Sequence, residues 1–282
     1  MKILDSNEYI SEKLTIQPVT KDMLSKMKEE PSVDEKTRQF IEENNLKWNP
    51  KTMSYDCEDD VDVSDDIVTG GKLKIRFGEV GGYFDCRNNR LTSLEGAPKE
   101  VGGGFYCFNN ELTTLEGAPK DVGGCFRCND NKLTTLEGAP QNVDGDFSCT
   151  DNKLTTLKGA PKKVGGYFDC SNNKLTTLEG APNEVGGDFD CGYNELNTLE
   201  GAPKYVGDNF ICSYNKLTTL EGAPNEVGGE FDCRYNELTT LEGAPKKVGG
   251  DFDCGDNPNL VLPEDKPSWV NGEIMGKYIT DL

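Results

Sequence analysis

The sequence predicts an α/β-type solenoid. Each stacked coil contributes one short parallel strand and returns along an extended, non-helical convex side, and a small helical segment precedes the coils. Three observations carry that expectation. From Val80 the chain repeats every 21 residues through nine copies without an insertion. Each copy holds a Phe-x-Cys pair, whose period of two sets both side chains on one face of a strand. The 282 residues are only 34% hydrophobic yet include 32 Gly, a balance that suits a thin rod with many turns better than one thick core.

Each slot of the repeat has a physical task. Val recurs from Val80 to Val248, Phe from Phe84 to Phe252, Cys from Cys86 to Cys254 and Asn from Asn89 to Asn257. A single Phe-x-Cys strand cannot bury its own face, but copies stacked about 4.8 Å apart form a parallel sheet and a continuous core. Leu91, Leu94 and their equivalents fill that core from the return path, and Val80 and Ala97 close it. The Asn amide both donates and accepts, so a column of Asn can satisfy the backbone of buried turns. Gly96 and the Gly-Gly pair after Val are expected to supply backbone angles that other residues resist, with Asp144 and Asp208 substituting by tolerating the left-handed region. Pro98 and its later equivalents stiffen the return path and exclude helix there.

The pattern Phe-x-Cys-x-x-Asn-x-Leu-x-x-Leu resembles the leucine-rich-repeat signature, with Phe and Cys in two of its apolar slots. The resemblance implies a horseshoe or superhelix. The short period and the Leu-Thr-Thr-Leu-Glu-Gly-Ala-Pro segment are similar to two groups: repeat proteins of large tailed bacteriophages, and type III secreted leucine-rich-repeat effectors of Gram-negative pathogens. Such repeats are general binding scaffolds, so the resemblance specifies fold far more than function. Effectors with ubiquitin-ligase activity carry a large domain after the repeats. Only 28 residues follow Cys254 here, so that activity is not implied and no enzyme is expected.

Outside the repeats the expected divisions are an N-terminal helical segment at 1–50, a degenerate capping coil at 51–79, the solenoid at 80–256 and a C-terminal cap at 257–282. Thr20 is expected to cap a helix that Pro31 stops. Ser32-Val-Asp-Glu35 reads as a capping box opening a second helix to about Asn45. Val61-Asp-Val63 takes the strand position of the degenerate coil, Ile67 lies near a Leu slot, and Lys72 to Phe77 alternates like a strand. Trp269, Ile274, Met275 and Tyr278 are expected to cover the last coil.

Charge and chemistry narrow the function. The formal net charge of −20 argues against direct binding to nucleic acid or an anionic membrane and permits a basic protein partner. No apolar run is long enough to span a membrane, and Met1 to Leu14 lacks the apolar stretch of a secretory signal. With eleven thiols, a reducing cytoplasm is the expected compartment. Nine cysteines occupy the core slot, and the chain has no His, so neither a metal nor another cofactor is expected. Cys125, one residue before a core Phe, should face outward. The acidic run from Glu58 to Asp66 does not match a calcium loop.

Specificity must lie where the copies differ, which is on the outward positions around Phe and Cys. Tyr83, Arg87, Tyr106, Phe108 and Arg127 form one candidate patch of aromatic and Arg side chains, the usual hot-spot types. Asp188, Asp190, Glu230, Asp232, Asp251 and Asp253 form a second, acidic one, in which like charges on neighbouring strands suggest a cationic partner. Ile211 and the loop residues Tyr193, Tyr214 and Tyr235 join the candidate partner-binding set. The expected function is a non-enzymatic protein-binding module engaging a host protein through the strand face. An acidic nucleic-acid mimic and a secreted effector scaffold are the alternatives.

Overall fold

The structure, a computed structural model, describes residues 29–276. The Phe-x pairs form the expected parallel ladder. It starts at Val61–Asp62, passes through Phe84–Asp85 and each later copy to Phe252–Asp253, and ends on Ile274–Met275. Neighbouring coils are in register, Phe opposite Phe. A second eleven-stranded sheet runs beside it, made of Glu100–Val101 and its equivalents and started by Lys47–Asn49, Ser54–Cys57 and Phe77–Val80. Each repeat therefore contributes two strands of two residues, where the sequence suggested one. A Glu-Val pair is too short to show alternation, and its Val reads as an ordinary core residue.

The two ladders enclose a core one side chain deep. The rings from Phe84 to Phe252 form one column, with centroids 5.1–5.6 Å apart and planes within 16° of parallel. Phe77 closes one end edge-on at 4.9 Å, and Trp269 closes the other at 5.1 Å. The core Cys residues and nearly all the core Leu residues are buried beside the rings. Open solenoid ends expose apolar faces, and these edge-on aromatics cover both.

The Asn column ties the coils together as its chemistry suggested. Asn110 donates from Nδ2 to the carbonyls of Cys86 (2.9 Å), Cys107 (3.1 Å) and Phe108 (3.3 Å), while its Oδ1 accepts from the N–H of Leu91 (2.8 Å). One buried amide thus serves two successive turns, and the pattern recurs along the rod.

The glycines divide differently from expectation. Gly96 and its equivalents do lie in the left-handed region, at φ 82–95°. The Gly-Gly pairs do not. A Cβ on Gly102 would collide with the carbonyl oxygen of Gly81 in the preceding coil, so close approach selects Gly there. Asp144 and Asp208, which replace Gly in that pair, also have ordinary backbone angles.

At the N-terminal end, helix α1 spans Glu35–Glu43. Its cap is Asp34, whose carboxylate accepts from the N–H of Thr37, rather than Ser32 of the expected capping box. Phe40 packs edge-on against Phe77 at 6.5 Å. Ile67 is buried, and Val61 pairs with Phe84. Lys72 to Phe77 is not one strand: Lys72–Leu73 pairs back on Val68–Thr69 around Gly70-Gly71, and a separate strand starts at Phe77. The helix expected from Thr20 and the covering role of Tyr278 lie outside the described residues.

Candidate functional site

The outward face of the Phe ladder is built from side chains that are largely committed to the fold itself. In the column before Phe, carboxylate or amide oxygens accept the N–H of the matching residue one coil on. Asp188 accepts from Asn209 (2.9 Å), Asn209 from Glu230 (2.8 Å) and Asp251 from Glu273 (2.8 Å). In the column after Phe, each Asp accepts the N–H two residues ahead. Asp85 does so with Arg87, Asp169 with Ser171, Asp190 with Gly192, Asp232 with Arg234 and Asp253 with Gly255, at 2.8–3.0 Å. These Asx turns close the strand and start the Asn turn. The acidic patch is therefore largely a set of turn caps and inter-coil links, which gives its regular spacing a cause within the fold.

Side-chain partners satisfy most of these carboxylates a second time. Arg87 Nε lies 3.0 Å from Asp85. Arg234 grips Asp232 through Nε (3.0 Å) and Nη2 (2.8 Å), and its Nε is also 3.2 Å from Asp253. Ser171 Oγ donates to Asp169 at 2.6 Å. Asp190 differs: among the described residues it has no ion pair, and its only hydrogen-bond partner is the N–H of Gly192. Burial, with the charges of Asp169, Asp232 and Asp188 adding to it, pushes the Asp190 carboxyl up to about 6. Burial raises Glu230 as well.

The first predicted patch is assembled, but its groups are turned on one another. Tyr83 and Tyr106 are half-buried with centroids 6.2 Å apart, and the Tyr83 hydroxyl donates to Asp62 at 3.0 Å. Arg87 sits over the Phe108 ring at 5.4 Å, so Phe108 is covered where the sequence suggested free apolar surface. Arg127 is 3.9 Å from Asp146, and its Nε is buried without a hydrogen-bond partner.

Tyr193, Tyr214 and Tyr235 are the outlying feature. They occupy the slot before the ladder Asn, which is left-handed in every coil. Other coils fill it with Asn88, Asn109, Asp130, Asp151, Asn172 and Asp256, residue types that tolerate those angles. The three tyrosines adopt φ 51–56° and are 57%, 40% and 42% exposed. Their rings stack at 4.2 Å. A side-chained residue held left-handed costs about 1–2 kcal/mol, and a stacked aromatic pair returns about 0.5–1.5 kcal/mol. The two stacked pairs offset part of that cost, and none of the three rings fills a core slot. Ile211 lies half-buried on the adjoining strand. Sequence reading missed Arg234 as the neutralising partner of the acidic patch and Gly192 as a gap in the same column. The signal was an Asp-x-Arg that becomes Asp-x-Gly.

All nine periodic cysteines are buried free thiols, and burial pushes them up, Cys254 to about 11. Cys125 is half-buried, with Sγ 3.5 Å from Asp146. The acidic N-terminal loop is tied down by Lys47 on Glu58, Lys36 on Asp66, and the Tyr83 N–H on Asp60.

No family model and no curated protein matches this chain. Among solved structures it is similar to YopM from Yersinia enterocolitica WA-314, with a TM-score of 0.54 and 18% identity. The likeness covers 79% of this chain and 54% of that one, so this chain spans about half the length of the neighbour. The fold is that of a leucine-rich-repeat solenoid. Among the described residues, no helix is long and apolar enough to cross a membrane.

Proposed function

We propose that this chain is a non-enzymatic protein-binding scaffold of bacterial or phage origin, which holds a basic host protein against the outward face of its Phe ladder. The observation that carries this reading is the exposed, strained tyrosine column, because a feature that costs stability and fills no core slot needs another reason to exist. The invariance of the frame supports it: core slots repeat from coil to coil, and the face columns vary. The net charge of −20 favours a cationic partner. The raised pKa values of the nine buried core thiols argue against nucleophilic use of those cysteines. An acidic nucleic-acid mimic needs regular outward carboxylates, and the inward commitment of Asp232 and Asp253 weighs against it. A secreted effector scaffold is the variant of this reading that the repeat type and the fold likeness to YopM favour. The test is affinity capture from host extract on the immobilised full chain. It is run beside one variant with Tyr193, Tyr214 and Tyr235 all changed to Asn, and a second with Tyr106→Ala, Phe108→Ala and Arg127→Ala. A partner retained by the wild type and lost from the first variant is expected; the same partner on all three chains would move the site off this face.

A further inference from the structure

Asp190, Gly192 and Tyr193 together have the form of an arginine site whose arginine is supplied from outside. In the first repeat, Asp85 is followed two residues on by Arg87, which pairs with it at 3.0 Å and lies over the Phe108 ring. In a later repeat, Asp232 is followed two residues on by Arg234, which pairs with it at 2.8 Å. The repeat that runs from Phe189 to Asn194 keeps the aspartate, Asp190, and the turn but places Gly192 where the arginine stands in the other two. Gly192 is buried and carries no side chain over the Asp190 carboxylate. A Cβ there would lie 3.1 Å from the Asp190 carboxylate and 3.3 Å from the Ser213 carbonyl oxygen, and its φ is not left-handed, while Asp190 stays half-buried where the arginine-covered Asp85 and Asp232 are buried.

Tyr193 borders this gap as the first ring of the tyrosine stack. One of its faces is covered by Tyr214, and the preceding coil presents Asn172 instead of a ring. Its 57% exposure is the greatest of the three. The neighbouring cation, Arg234, is already held by Asp232 and Asp253. A carboxylate that lacks a counter-charge, is left half-buried rather than covered, and adjoins an exposed aromatic face offers what a guanidinium uses.

We propose that the Asp190–Gly192–Tyr193 gap receives an arginine side chain of the partner protein, which pairs with Asp190 and stacks on the open face of Tyr193. This deepens the protein-binding reading and rests on it. The raised carboxyl of Asp190 is in keeping with a site that lacks its cation in the free chain.

The test is titration of the 15N-labelled full chain with acetyl-Gly-Arg-Gly-amide, with the same peptide carrying Lys, and with the one carrying neutral citrulline. The arginine peptide is expected to shift the amide signals of Asp190, Gly192 and Tyr193, to bind at least threefold tighter than the lysine peptide, and to outcompete citrulline entirely. Gly192→Arg supplies the internal arginine of the other repeats at the cost of a small shift of Ser213, so the variant, shown to be folded by its 15N spectrum, should lose tenfold or more of the affinity. Tyr193→Asn should lose affinity to a similar degree. Equal shifts by arginine and citrulline peptides, or undiminished binding by Gly192→Arg, overturn the assignment. Such a failure leaves the capture experiment above standing. Capture that ignores the face variants sinks the broader reading even where the arginine peptide binds.

Discussion

The aromatic clusters at the two ends of the Phe-ladder face are made of the same residue types and are in opposite states. Around Tyr83 to Arg127 most groups have found a partner within the chain, Arg127 Nε excepted: Arg87 covers Phe108, Tyr83 bonds Asp62, and the left-handed slot holds Asn88, Asn109 and Asp130. Around Tyr193 to Tyr235 the left-handed slot holds tyrosines that stack only on each other and stand in solvent, beside an aspartate without a counter-charge. The first cluster stabilises the rod, whereas the second is stabilised by it. Aromatic, Arg and Asp residues in sequence do not distinguish those states; what distinguishes them is whether a neighbouring coil supplies the complement.

The comparison presumes one continuous frame beneath both clusters, and the largest expected effect comes from breaking it between them. Asn173→Ala strands the carbonyls of Cys149, Cys170 and Ser171 and the N–H of Leu154. It should cost about 3 kcal/mol in denaturant unfolding. A loss below about 0.5 kcal/mol, within the usual range for surface changes, would show that the turn does not depend on that amide.

The next effect sharpens the contrast between a satisfied and an unsatisfied aspartate. Asp232→Asn keeps the turn cap but loses the charge that Arg234 grips, and should cost about 2 kcal/mol. Asp190→Asn keeps the equivalent cap and removes a charge that the fold disfavours, so at pH 7 it should stabilise by about 1–2 kcal/mol, discounted for partial exposure. The sign follows from a folded pKa raised to about 6 from the ordinary aspartate value of 3.8. Between those values the folded state holds the proton more tightly than the unfolded state, so wild-type stability falls as pH rises from about 4 to 6. The advantage of Asp190→Asn should therefore fade below pH 5. An Asn variant less stable than wild type at pH 7 would make Asp190 an ordinary structural residue.

Much of this was legible in the sequence, because a residue that recurs every 21 positions declares its own slot. Phe84, Cys86, Leu91, Leu94 and Asn89 were placed by period and chemistry alone, and their hydrogen bonds and burial follow that placement. The second ladder was not legible, since two residues cannot show a strand period. The sign of φ before the ladder Asn was not legible either: Asn and Asp in six coils hint at a left-handed slot, but Tyr in three conceals it. The aspartates after Phe looked like repelling neighbours, although Asp-x-Gly, Asp-x-Ser and Asp-x-Arg could have been recognised as turn caps. Which carboxylate lacked a partner depended on side chains one coil away, which a one-dimensional pattern does not resolve.

The central claim is that the tyrosine column serves binding at the expense of the fold. Its most direct test is the denaturant midpoint and slope of the full chain against the variant with Tyr193, Tyr214 and Tyr235 all changed to Asn, the residue that Asn88, Asn109 and Asn172 place in the same slot. Relief of three left-handed tyrosines outweighs the loss of two stacked pairs, so the variant should be at least as stable as the wild type, with an unchanged slope. A variant destabilised by more than about 1 kcal/mol, beyond what surface substitutions usually cost, would make the column structural and contradict the claim.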